Sequence, residues 1–181
     1  MVNFEVYVKL TKTKYNKGCI MDINVECEKG KFKLRASGVI VKDGKMLVDR
    51  ARRFDGFIFL GGHVEVGETC KDAILRESRE ELGFETKIIK LICINENIYP
   101  VPNTEMVAHE ISYYYLLEPK VDIEVKDFEY VEVDKGNEIT HYYQWIDINS
   151  ANDYNIRPNW VADMILQGRE NYYYLTDQTK D

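Results

Sequence analysis

The sequence predicts a single α/β domain in which a mixed sheet packs between helices. Apolar, β-branched segments lie on both sides of one long helical pattern, and a second helical pattern comes late in the chain. Strands that precede and follow a helix in this order are typical of a layered architecture. A chain of 181 residues with 45% hydrophobic content is long enough to bury a core of its own.

The N-terminal part of the chain gives a weaker pattern than the rest. Apolar and polar residues alternate over residues 4–10, which favours a strand. We therefore expect residues 1–30 to be an N-terminal extension, either a strand or a partly appended segment. Residues 31–181 are expected to form the single domain.

The next strands are predicted together with their turns. Residues 34–42 and 45–50 are mainly apolar, and the Asp43-Gly44 pair between them is favoured in two-residue hairpins. Residues 57–60 predict a short strand that runs into a turn at the glycine pair 61–62. These elements predict a sheet that leads directly into the long helix.

The long helix is predicted from about residue 70 to residue 82. Thr69 and Asp72 have the spacing of a capping box, and Gly83 supplies a left-handed stop. Ser78 lies in the middle of the apolar stripe, where its hydroxyl is expected to bond back to a helix carbonyl.

The second half of the chain predicts three more strands and one short helix. The strand patterns lie at residues 87–95, 110–117 and 141–148. The acid-rich segment 120–137 is expected to be a solvated excursion, either without strands or with short edge pairing. A final helix is predicted to begin at Pro158 and to end at Gly168, and the tyrosine-rich tail at 172–174 is expected to be a short strand or a packed extension.

Composition excludes several classes of protein. The net charge of −7 argues against nonspecific nucleic-acid binding, which requires an excess of Lys and Arg. No apolar run approaches the roughly 18 residues of a membrane span, and the four scattered cysteines lack the spacing of a zinc site. These observations favour a cytoplasmic protein with no membrane partner.

An acidic cluster on the predicted helix is the most informative pattern in the chain. Glu77, Glu80 and Glu81 are spaced i, i+3, i+4, so their side chains share one face. Like charges at this spacing destabilise a helix by roughly 0.2–0.5 kcal/mol per pair, so a cation is expected between them. Ligands that offer only oxygen favour Mg²⁺ first and Mn²⁺ second.

The segment around this cluster resembles the Nudix box, whose pattern is G-x5-E-x7-R-E-U-x-E-E-x-G-U, where U is a bulky apolar residue. The specified residues are present at Gly62, Glu68, Arg76, Glu77, Glu80, Glu81, Gly83 and Phe84. Ser78 departs from the pattern at the first U, and Leu60 stands where many relatives have proline. The resemblance covers about residues 34–166 and implies a MutT-like Nudix α/β/α sandwich with a mixed β-sheet.

The resemblance implies a metal-dependent hydrolase that cleaves the pyrophosphate bond of a nucleoside diphosphate linked to another moiety. The metal would be held by the Gly62 carbonyl and by the three carboxylates Glu77, Glu80 and Glu81. Either Glu80 or Glu81 would also orient or deprotonate the attacking water. Glu68 and Arg76 would form an ion pair that braces the loop against the helix.

Further candidate site residues lie outside the box. Glu105 and Glu110 are candidates for the general base, and for each of them a surface carboxylate is at least as good an interpretation. The cluster Arg50, Arg52 and Arg53 is a candidate for gripping substrate phosphates. A solvated loop explains these three arginines equally well.

Two alternative functions stay open at this point. One is a Nudix module that binds a nucleotide without cleaving it, and the other is a house-cleaning nucleoside triphosphate pyrophosphatase. Each takes a small nucleotide or nucleotide derivative as its partner. Pairing of the N-terminal strand across a homodimer is also compatible with the pattern.

Overall fold

The computed structural model describes residues 21–52, 54–134, 136–169 and 172–177. The strand predicted over residues 4–10 and the candidate Arg53 lie outside the described residues. The homodimer contact expected of that strand therefore stays a prediction.

Eleven strands and two α-helices form in the described part of the chain. The strands are β1 (Asn24–Cys27), β2 (Gly30–Lys42), β3 (Lys45–Arg50), β4 (Phe57–Ile58), β5 (Leu60–His63), β6 (Thr86–Pro100), β7 (Val107–Pro119), β8 (Phe128–Asp134), β9 (Asn137–Asp147), β10 (Ile156–Arg157) and β11 (Tyr172–Asp177). The helices are α1 (Cys70–Leu82) and α2 (Trp160–Leu166), and a 3-10 helix spans Ile148–Asp153. None of the helices in this part of the chain is long and apolar enough to cross a membrane.

The sheet is mixed, as predicted. Its main strand order is β10-β4-β3-β2-β7-β6-β11, and β9 joins β3 to β8. The central pair β2 and β7 is parallel, whereas β6 and β7 are antiparallel. The long strand β2 also pairs with β1, β3 and β5, so it places the glycine-rich strand β5 beside the centre of the sheet.

The hairpin between β2 and β3 confirms the turn prediction. Asp43 and Gly44 have φ values of 50° and 73°. Both residues therefore take the left-handed conformation that the favoured two-residue hairpin turn requires.

Helix α1 also begins and ends where the sequence predicts. The Thr69 hydroxyl accepts a hydrogen bond of 3.1 Å from the Asp72 N–H, and Gly83 closes the helix with φ 75°. The Ser78 hydroxyl donates to the Leu75 carbonyl at 3.1 Å, so the predicted back-bond is present.

Helices cover both faces of the sheet and complete an α/β/α sandwich. Val39 in β2 packs in the hydrophobic cluster that contains α2, and its neighbour Ile40 packs in the cluster that contains α1. Val48 and Leu47 in β3 divide in the same way. Because successive side chains of a strand point to opposite faces, the two clusters lie on opposite sides of the sheet.

Two sequence predictions about the elements are wrong. The glycine pair 61–62 lies within β5 rather than in a turn, because β5 pairs with β2 along its whole length. Helix α2 begins at Trp160, with Asn159 as its N-cap residue, so Pro158 precedes the helix.

The acid-rich segment 120–137 contains the edge pairing that the sequence allows, in the form of the seven-residue strand β8, which pairs with β9 throughout. In β8 the two valines, Val131 and Val133, are 48% and 69% exposed. Tyr130 and Glu132 are less exposed than these valines. Valines face outward and a carboxylate faces inward, which reverses the usual pattern of a strand. Hydrophobic alternation in the sequence therefore does not predict β8.

Candidate active site

Strand β5 and helix α1 hold the motif residues face to face. Gly61 has φ 129°, and a Cβ atom on it would collide with the backbone of β2. A Cβ atom on Gly62 would collide with the Glu77 carboxylate. Both positions therefore need glycine, because the strand passes so close to its neighbours that no side chain fits.

Arg76 connects the loop before α1 to the helix itself. Its Nε and Nη2 atoms donate to the two carboxylate oxygens of Glu68 at 3.0 and 3.1 Å. Its Nη1 atom donates to Glu77 at 2.8 Å and to Glu80 at 2.9 Å, and Nη2 also reaches the His63 carbonyl. The guanidinium therefore fixes three carboxylates and one backbone carbonyl at once.

Glu77 and Glu81 are the two motif carboxylates that lie inside the protein. Burial raises the pKa of Glu77 to about 7, against the opposing charge of Arg76. Burial, with the nearby charge of Glu77, raises the pKa of Glu81 to about 8. Both carboxylates therefore resist ionisation when no cation is bound beside them.

The third motif carboxylate, Glu80, lies closer to solvent. Its side chain is 44% exposed, and it pairs with Arg76 across one helical turn. Glu81 is held separately, because its Oε2 atom accepts from the Gly61 N–H at 3.0 Å and from the Tyr143 hydroxyl at 3.4 Å. The structure thus joins Glu77 and Glu80 through Arg76 and turns Glu81 toward the sheet.

A buried polar cluster beyond Glu81 was not predicted from the sequence. His141 in β9 is 1% exposed; its Nδ1 atom lies 2.8 Å from Asp49 Oδ2, and its Nε2 atom lies 3.1 Å from Glu132 Oε2. Burial lowers the pKa of His141, but the hydrogen bonds with Asp49 and Glu132 and the charge of Glu81 outweigh it, so the pKa is raised. The ligand atoms of Glu81, Glu132 and His141 lie within 4.8 Å of one another, so this group can hold a metal ion.

A cleft with a volume of about 1030 Å³ opens next to β5. Its basic lining residues are Lys33, Arg35, Arg52 and Arg157, and its aromatic ones are Phe54, Phe59, Tyr99, Tyr114, Tyr154 and Trp160. His63 of β5 also lines it, and its buried Nε2 atom has no hydrogen-bond partner within the described residues. The cleft and the motif therefore share one strand.

Arg35 ties the cleft to the motif directly. Its Nη2 atom donates to the Gly61 carbonyl at 2.9 Å, and its charge acts on both Glu77 and His63. Burial, helped by Arg35, lowers the pKa of His63, which favours a neutral imidazole at this wall. Sequence reasoning missed Arg35 because nothing in the local pattern of β2 distinguishes it from a surface residue.

Of the candidate site residues predicted outside the motif, some line the cleft and others do not. Glu110 lines the cleft and accepts hydrogen bonds from the Tyr99 hydroxyl at 3.3 Å and from the Ser112 hydroxyl at 2.9 Å. Arg52 also lines the cleft. Arg50 is not among its lining residues; its side chain is 65% exposed and lies 3.9 Å from Asp55. The other candidate base, Glu105, is exposed on the loop between β6 and β7.

Comparison with known proteins identifies a family model and several relatives. The NUDIX domain model matches residues 32–164. An ADP-ribose pyrophosphatase from Methanocaldococcus jannaschii is 36% identical over 84 residues, which are 45% of this chain and 47% of that protein. The chain thus spans about half the length of this curated relative.

Solved structures agree at the level of the fold. A mutator MutT protein from Bacillus halodurans superposes with a TM-score of 0.57 at 14% identity, over 82% of this chain and 93% of that one. A MutT protein from Methanosarcina mazei superposes with a TM-score of 0.50 at 18% identity, over 78% of this chain and 95% of that one. At these identities the likeness shows the fold alone.

Proposed function

Because the chain belongs to the NUDIX domain family, we propose that it is a metal-dependent hydrolase that cleaves the pyrophosphate bond of a nucleoside diphosphate linked to another moiety. The observation that carries this proposal is the burial of Glu77 and Glu81 against the β5 glycines, beside a large cleft with basic walls. Glu77 and Glu81 are not among the residues that line the cleft, and the cleft reaches the motif through His63 and through Arg35, which donates to the Gly61 carbonyl. Buried carboxylates with raised pKa values are a recurrent feature of functional sites.

The motif residues fit a hard divalent cation. Gly62 leaves room for the Glu77 carboxylate where any side chain would displace it, and the ligands on offer are oxygen atoms. We propose that Glu77, Glu80, Glu81 and the Gly62 carbonyl hold Mg²⁺, with Mn²⁺ as the second choice. When bound, such an ion lowers the pKa of a bound water and neutralises phosphate oxygens.

Other residues of the motif support the metal site and orient the attacking water. Arg76 and Glu68 brace the strand–helix junction, as their paired hydrogen bonds support. Glu81 is oriented by Gly61 and Tyr143 and is the preferred residue to orient or accept a proton from the attacking water. Glu80 is the alternative for that role.

The walls of the cleft support a polyanionic substrate with an aromatic base. Lys33, Arg35 and Arg52 line the cleft and can contact phosphate oxygens. Tyr154 and Trp160 line it as well and can stack on a nucleobase. Glu110, held among polar neighbours in the cleft, remains a candidate general base.

The nucleotide class is proposed from the same features. The name of the Methanocaldococcus jannaschii relative makes ADP-ribose the first compound to test. A house-cleaning action on nucleoside triphosphates is the alternative, since the same basic walls accept a triphosphate.

The proposal is tested with purified protein, Mg²⁺ or Mn²⁺, and a panel of ADP-ribose, nucleotide sugars, dinucleoside polyphosphates and normal and oxidised nucleoside triphosphates. Phosphate is measured after added phosphomonoesterase, which releases it from the monophosphate products of a cleaved diphosphate derivative, and separately after added inorganic pyrophosphatase, which detects pyrophosphate released from a triphosphate. We expect Glu81→Gln to lower turnover by on the order of 10²–10⁴-fold. The exposed Glu85→Gln variant, whose carboxylate pairs with Lys120 at the surface, is the matched control.

Two outcomes would contradict the proposal. One is no turnover of any compound in the panel, together with tight metal-free binding of a nucleotide, which indicates a binding module. The other is equal activity of the Glu81→Gln variant and the unaltered protein.

A further inference from the structure

The buried cluster beyond Glu81 is assembled by strand register. Asp49 in β3 lies opposite Tyr143 in β9, and His141 lies two residues earlier on the same face of β9. Glu132 comes from the neighbouring strand β8. Two strands, β8 and β9, thus direct ligand atoms toward one helix residue, Glu81, and Asp49 on β3 contacts the histidine from the other side.

The His141 ring is fixed from both sides. Nδ1 faces Asp49 Oδ2 at 2.8 Å, and the other oxygen of Asp49 accepts the Tyr142 N–H at 2.9 Å. The ring also stacks on Tyr143 with a centroid distance of 5.8 Å and an interplanar angle of 12°. Nε2 is therefore aimed in one direction, toward Glu132.

This arrangement is costly as a purely structural core. The side chain of Glu132 is 13% exposed, and those of Asp49 and His141 are almost fully buried. Replacing buried charged groups of this kind by apolar residues is often neutral or stabilising. A role at Glu81 gives a physical reason for burying these polar groups in one place, which packing alone does not.

We propose that His141, anchored by Asp49, is a positioning residue that holds the Glu132 carboxylate beside Glu81, so that Glu132 takes part in the metal centre. The proposal rests on the function proposed above and adds three residues outside the motif to it. Partners that orient a metal-binding carboxylate or imidazole in this way typically change metal affinity or activity by 10–100-fold when they are mutated.

The test measures Mn²⁺ binding to the full chain without substrate, by electron paramagnetic resonance of free Mn²⁺ and by calorimetry. We expect His141→Gln and Glu132→Gln each to weaken Mn²⁺ binding by about 10–100-fold. We also expect kcat to fall by a similar factor while KM for the nucleotide changes little, which a general loss of structure would not produce. The matched control is His109→Gln in β7. It removes a half-exposed histidine whose Nε2 atom lies 2.6 Å from Glu96 Oε1.

The outcomes separate this proposal from the proposed function. If folded His141→Gln and Glu132→Gln bind Mn²⁺ as the unaltered protein does, while Glu81→Gln does not, the positioning role is overturned and the hydrolase assignment stands. If the unaltered protein neither binds Mn²⁺ nor hydrolyses any nucleotide, both fall. Should His141→Gln fail to fold, as judged by near-ultraviolet circular dichroism, the Glu132→Gln variant, at a less buried position, decides the matter alone.

Discussion

Two regions of the molecule meet at Glu81, and they are built by different rules. In the motif region, β5 to the end of α1, the key contacts join residues close in sequence: Arg76 reaches Glu68 eight positions away and Glu80 four positions away. In the strand region, Asp49 and His141 are 92 positions apart. Helix spacing therefore places the charges of the first region, whereas pairing between β3, β8 and β9 places those of the second.

The two regions contribute differently to one site, the motif region through rigidity and the strand region through orientation. The motif region supplies a rigid frame, because one guanidinium holds three carboxylates. The strand region supplies orientation at a single point, through Tyr143 and the His141 cluster. Variants that affect one region and not the other separate these contributions.

The largest expected effect is the loss of the frame. Arg76→Ala leaves Glu68 and Glu77 without their partner in a mostly buried place, which costs on the order of 3–5 kcal/mol. The free energy of unfolding in urea measures it. The control is Arg79→Ala, whose side chain is 60% exposed and lies 3.7 Å from Glu85; exposed pairs of this kind contribute about 0–1 kcal/mol. Equal losses in the two variants would show that Arg76 braces nothing.

The second expected effect is a pH dependence of stability, which arises where the two regions meet. The pKa values of Glu77, about 7, and Glu81, about 8, lie above the ordinary value of 4.5, so the folded protein binds more protons than the unfolded chain between these values. Stability of the metal-free protein must therefore decline as pH rises from about 5 to about 8. The raised pKa of His141 acts in the same direction.

Urea unfolding in the presence of a chelator, at several pH values over this range, measures that decline. A difference of one in pKa between the folded and unfolded states corresponds to about 1.4 kcal/mol, so the decline is expected to be larger than that value. Glu81→Gln removes one of the titrating groups and is expected to flatten the profile. A stability that rises with pH in the unaltered protein would show that the two carboxylates are not buried together.

The smallest effect on stability, but a specific one on activity, is expected for Gly62→Ala. The added Cβ displaces the Glu77 carboxylate, and overpacking of this kind costs about 1–3 kcal/mol. A misplaced group in an active site lowers turnover by about a hundredfold. The control is Gly44→Ala in the β2–β3 turn, where φ is 73° and open space surrounds the new methyl group. That variant should lose some stability and keep its activity; a matching loss of activity would contradict the role given to Gly62.

The local structure of the motif region could be predicted from the sequence in detail. The caps at Thr69 and Gly83 and the hydroxyl back-bond of Ser78 follow from the fixed geometry of a helix. The hairpin at Asp43 follows from its turn chemistry in the same way. The mixed sheet and the family resemblance follow from element order and from the motif, and these require no long-range information.

The residues that meet in the strand region and in the cleft could not be predicted from the sequence, because contacts between distant segments bring them together. Alternation along β8 defines two faces, but it does not state which face is inside, and here Glu132 takes the inner one while Val133 is exposed. His141 and Asp49 are ordinary strand residues until the register of β3 against β9 brings them together. The physical reason is that a helix fixes its neighbours within one or two turns, whereas a sheet fixes them only when distant strands have paired.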